Sequence, residues 1–154
     1  MRNIRRSKCH EELVDLLTEK AHPSSKKTIF PTKRELMCFA ATLGFQTGRR
    51  SKLDGKTNDV DGRPFSDHGN TIDLMYLLAL AEGKDGELLR DAREEDRILI
   101  FEEYTNGGFE VLQRWMDARP DDLYGATPIL DGLLKDKFLE NKSSTEDAIT
   151  KVKF

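Results

Sequence analysis

Five cations bracket one amphipathic stretch of this 154-residue chain, TKRELMCFAATLGFQTGRRSK over Thr32–Lys52. Lys33 and Arg34 stand at its start, and Arg49, Arg50 and Lys52 just past its end. The chemistry open to such a set is anion capture. A guanidinium fork pairs bidentately with phosphate or with a guanine edge. Lys33 and Arg34 fall in the first turn of the helix this stretch predicts, where positive charge opposes the helix dipole. An outside anion such as DNA phosphate would relieve that placement. Lys33, Arg34, Arg49, Arg50 and Lys52 are therefore the candidate DNA-binding residues. The competing expectation is a set of solubilising charges, with Arg49 and Arg50 paired to acids from residues 91–103.

Other chemistries find less support. Cys9, His10, His22, Cys38 and His68 show none of the close pairs that structural zinc sites use. There is no GxSxG elbow and no GxxxxGK[ST] phosphate loop. The acids of residues 82–103 alternate with Arg90, Arg93 and Arg97, as on a solvated helix face. The expectation is a non-enzyme with no cofactor and no metal.

The elements that must position the cations follow from periodicity and punctuation. Thr32 and Glu35 have the capping-box spacing, Pro31 discourages an earlier start, and Leu36, Phe39, Ala40 and Leu43 share one face. Gly44 is expected to end this helix in the left-handed conformation. Ser7 is expected to cap a first helix over Lys8–Ala21. Thr28–Phe30 is at most a short extended piece, which as the ribbon of a ribbon–helix–helix is too short to count on. Gln46–Gly69 reads as one long polar, Gly-rich loop, of the length that usually carries function. Asn70 or Thr71 opens a third helix, Ile72–Glu82, apolar enough all round to predict the buried centre of a bundle. A long helix over about Ala92–Ala118 keeps its apolar phase through Asn106-Gly107-Gly108, so it is expected to run on, with Gly108 admitting a neighbour closely. The alternative is a break at Asn106. Thr127-Pro128 opens a last helix.

The fold class expected is all-α, a compact single-domain bundle of about five helices with one long basic, Gly-rich loop. It would occupy residues 1–140, with a flexible C-terminal tail over 141–154. Charged residues are 34% and hydrophobic ones 37% of the chain, and no apolar run approaches the ~20 residues a spanning helix needs. No signal peptide is evident, so a cytoplasmic location with Cys9 and Cys38 reduced is expected. The net charge of −3 hides an asymmetry. Residues 1–56 carry 13 Lys/Arg against 6 Asp/Glu, and residues 57–154 carry 12 against 22. A basic front suits nucleic acid, or merely the acidic rear of the same molecule.

Three stretches, TKRELMCFAATLGFQTGRRSKL, TIDLMYLLALAEG and RILIFEEYTNGGFEVLQ, resemble a small protein family. These are the DNA-phosphorothioation-associated, or Dnd-system-associated, protein 4 accessories. The likeness covers about residues 7–118, and LMCFAATLGF…GRRS and FEEYTNGG are its more specific parts. The resemblance implies an accessory of bacterial systems that replace a phosphate oxygen of DNA with sulfur, or restrict DNA lacking the mark, in defence against phage. It brings no catalytic residues. It implies as partners DNA or a DNA-bound complex, met by Arg49 and Arg50 of the GRR, and other proteins of the same cluster; a homo-oligomer is left open. The rival is a protein–protein adaptor or regulator that never touches DNA.

Overall fold

Helix packing here is decided by where backbones can approach, and one long helix, Glu94–Ala118, is the element most others approach. The computed structural model describes residues 1–136 and 138. In chain order they form β1 (Ile4–Ser7), α1 (Glu11–Thr18), α2 (Lys33–Gln46), β2 (Thr57–Val60), α3 (Arg63–Ser66), α4 (Gly69–Gly83), α5 (Glu94–Ala118) and α6 (Ala126–Lys135), with short 3₁₀ turns before α1 and α5. The molecule is predominantly helical but not strictly all-α. β1 and β2 pair antiparallel, from Ile4 opposite Val60 to Ser7 opposite Thr57. The expected long loop therefore contains a strand and a one-turn helix. Its strand partner is the N-terminal segment, where Ile4 supplies a fully buried side chain. Thr28–Phe30 forms no strand.

The first helix is shorter than Lys8–Ala21, because Ser7 finishes β1 and a 3₁₀ turn intervenes before Glu11. The capping box of α2 is present in modified form. The Glu35 amide donates to the Thr32 hydroxyl at 3.2 Å, and that hydroxyl donates to the Glu35 carboxylate at 3.2 Å. Gly44 does not end α2, which continues to Gln46; the left-handed residue is Gly48, with φ of 65°. What Gly44 supplies is absence of bulk, since a Cβ there would lie 2.2 Å from the Tyr104 carbonyl oxygen.

α5 runs unbroken through its glycines. A Cβ on Gly108 would sit 1.8 Å from the Ala40 carbonyl oxygen of α2, so the two helices cross at backbone distance. Phe101, Phe109, Ile98 and Leu112 fill the core along α5. α4 is not the buried centre. Thr71, Met75, Leu78 and Ala79 face inward, while Leu77 is 64% exposed and Leu80 40%. Its uniform apolarity gives no periodicity from which an inner face could be chosen. α6 begins at Ala126 after Gly125, with φ of 89°, and Asp122 accepts the amides of Tyr124, Gly125 and Thr127. The expected tail over 141–154 lies outside the described residues.

Candidate functional site

The GRRS segment does not stand free. Gly48 turns the chain back after α2, the Arg49 amide donates to the Gly44 carbonyl at 2.7 Å, and residues 49–52 lie as a strap across α5. Gly107 makes room for it, because a Cβ there would meet the Arg49 carbonyl oxygen at 1.8 Å. The Ser51 amide donates to the Glu103 carbonyl at 3.1 Å. Asn106, buried in α5, donates its side-chain amide to the Ser51 and Lys52 carbonyls at 3.3 and 3.0 Å.

The strap's side chains close the same interface. Arg49 pairs with Glu110 at 2.6 Å, and the Ser51 hydroxyl donates to that carboxylate at 3.0 Å. Arg50 bridges Glu103 at 2.5 Å and Glu82 of α4 at 2.7 Å. The Tyr104 hydroxyl also donates to Glu82, and the Arg50 guanidinium lies over the Tyr104 ring at 6.0 Å. The hydrogen bonds from Tyr104 and then Arg50 hold the Glu82 carboxyl below its usual range. Burial, then the hydrogen bond to Glu82 and that carboxylate's charge, pushes the Tyr104 phenol up to about 12. Arg50 thus ties α2, α4 and α5 together through two carboxylates and a ring.

The structure brings Arg49, Arg50 and Lys52 together on the strap and leaves Lys33 and Arg34 at the other end of α2. Lys33 is half-buried with its amine 3.8 Å from Glu19. Arg34 donates to the Thr71 hydroxyl of α4 at 3.0 Å and lies 3.7 Å from Glu35. The charge in the first turn is therefore answered from within. Lys52 is exposed, with its backbone carbonyl on Asn106. Of the acids expected to compete for Arg49 and Arg50, Glu103 does so. Glu82 and Glu110 were hidden in sequence because which face of α4 and α5 meets the strap depends on the helix crossing.

Among the described residues every arginine except Arg114 is held by an acceptor of the chain itself. Apart from exposed Arg114, the open cations are lysines. Lys20, Lys26 and Lys27 are exposed around a short loop where His22 packs on Tyr124 at 4.9 Å, and the Lys20 amine lies 4.9 Å from the centre of that ring. Lys8 and Lys56 are joined backbone to backbone at the end of the ribbon. A second internal site is Glu102, which receives Arg2 at 2.6 Å, Arg5 at 3.0 Å and the Arg5 amide at 2.7 Å. Burial pushes its carboxyl up, but these donors outweigh burial and hold it below the usual value. Among the described residues no three His, Cys, Asp or Glu side chains gather to hold a metal, and no helix is long and apolar enough to cross a membrane.

The two more specific parts of the family resemblance, LMCFAATLGF…GRRS and FEEYTNGG, are thus the two sides of one internal interface. The family model for DNA sulphur modification system-associated protein 4 matches residues 3–152. The chain belongs to that family. No curated protein and no solved structure matches it. Membership associates the chain with DNA sulphur modification systems in an accessory capacity and makes the other proteins of such a system its expected partners.

Proposed function

We propose that this member of the family is a non-catalytic accessory that works by docking on protein components of a DNA sulphur modification system. It does not grip DNA through its cationic turn. The observation that carries this reading is the engagement of Arg49 and Arg50 by Glu110, Glu82 and Glu103. A guanidinium whose charge is already neutralised by a neighbouring carboxylate gains less from phosphate than a free one, which lowers the electrostatic drive for DNA binding at this turn. Exposed leucines point the same way. Leu77 and Leu80 on α4, and Leu130 and Leu134 on α6, offer apolar area suited to protein surfaces.

The test is capture of purified proteins of a DNA sulphur modification system on the immobilised chain, with and without nuclease. Retention that survives nuclease and added salt is the result expected. Capture that disappears with nuclease would overturn the docking role.

A second reading has its own observation. Lys20, Lys26 and Lys27, open and grouped beside His22 and Tyr124, form the kind of basic and aromatic surface that tracks a nucleic-acid backbone. On that reading Lys26→Glu/Lys27→Glu, and not the strap arginines, would abolish a gel shift.

A further inference from the structure

α4 presents to solvent a stripe with an internal symmetry. Asp73, Leu77, Leu80 and Lys84 recur at steps of four, three and four residues, which places them on one side of a helix. All four are exposed. Lys84 is the left-handed residue closing the helix, and its amide still donates to the Leu80 carbonyl at 2.8 Å, so its Cα keeps the helical register while its long side chain departs from the cap. Asp73 and Lys84 enter no ion pair among the described residues. The stripe therefore reads negative, apolar, apolar, positive.

A surface with that order is complementary to itself when one helix is reversed. Laid antiparallel about a two-fold axis between positions 78 and 79, Asp73 of one copy stands opposite Lys84 of the other, and Leu77 opposite Leu80. Two-fold pairing repeats each contact twice, so the interface holds two Asp–Lys pairs around a four-leucine centre. A parallel arrangement would set like charges together at both ends, which costs what the antiparallel one gains.

We infer that α4 is a homodimer surface, the occupant of its exposed stripe being the same stripe of a second copy in antiparallel register. The apolar centre is small beside the roughly 800 Å² per partner of a standard interface, so association is concentration-dependent rather than obligate. This inference shares Leu77 and Leu80 with the docking role proposed above, and experiment separates the two: self-association needs no partner protein, and partner capture needs no second copy.

Sedimentation equilibrium of the full chain over a range of concentrations tests it, using wild type, Leu77→Glu, Asp73→Lys and Lys84→Asp. All three positions are exposed, and Asp tolerates the left-handed conformation at position 84. Wild type is expected to dimerise, and each single variant to dimerise at least tenfold more weakly. The deciding arm is the equimolar mixture of Asp73→Lys with Lys84→Asp. Each variant repels itself, but in the mixed pair every charge again faces its opposite, so dimer should return to near the wild-type level. A wild type that stays monomeric, a dimer indifferent to the three substitutions, or a mixture that does not recover would each overturn the proposal.

Discussion

A carboxylate with two arginines and a backbone amide around it is a commitment at the level of a single residue. Glu102 is buried in α5 and holds β1 in place through Arg2 and Arg5. Glu102→Gln keeps the shape but removes the charge, weakening several charge-assisted bonds at once, and should cost about 2–3 kcal/mol. The acid limb of stability carries the same signature. The folded protein holds the Glu102 carboxyl below the ordinary value of 4.5, so the unfolded chain takes up this proton first as acid is added. Its contribution is complete above that value and is lost as pH falls through the folded one. Urea unfolding from pH 7 down to 3 should show wild type losing stability in that window more steeply than Glu102→Gln. Equal slopes would mean that the arginines do not hold the carboxylate in solution.

At the scale of elements, the fold depends on three glycines that let backbone meet backbone. Gly44 and Gly108 set the crossing of α2 on α5, and Gly107 seats the strap. Gly108→Ala drives a methyl into the Ala40 carbonyl, and neither helix can move without parting the core. The expected cost is at least about 3 kcal/mol, seen as a thermal midpoint about 10 °C lower. Gly86→Ala, where nothing lies within 4 Å, should leave the midpoint nearly unchanged. Much of this was legible in sequence. Preserved apolar phase across Asn106–Gly108 foretold a continuous α5 with a close neighbour, and Thr32 with Glu35 foretold the start of α2. The role of Gly44 was misread, since a glycine near a helix end fits a stop and a crossing equally well. β1 and β2 escaped notice because they are four residues each, are separated by the 49 residues that lie between Ser7 and Thr57, and join only through tertiary pairing. The exposed face of α4 escaped too, because an evenly apolar helix does not say which side turns outward.

For the molecule as a whole, the charge asymmetry of the chain is largely spent internally. Arginines of the basic front reach glutamates of the acidic rear, as Arg2 and Arg5 do with Glu102, Arg49 with Glu110, and Arg50 with Glu82 and Glu103. What remains outward among the described residues includes lysines, Arg114, acids without an ion pair such as Asp67, Asp73, Asp85 and Asp91, and the leucines of α4 and α6, a mixed-charge and apolar surface of the kind proteins meet. Candidate cations were therefore easy to find in sequence, but their partners were not, because pairing is set by the crossing of helices distant in the chain. The most direct measurement compares wild type with Arg49→Ala/Arg50→Ala for affinity to duplex DNA at low and physiological salt, alongside urea unfolding. The account predicts the same weak, salt-sensitive DNA affinity for both proteins and a lower unfolding midpoint for the variant. A variant as stable as wild type that has lost DNA affinity and part of its salt dependence would contradict it.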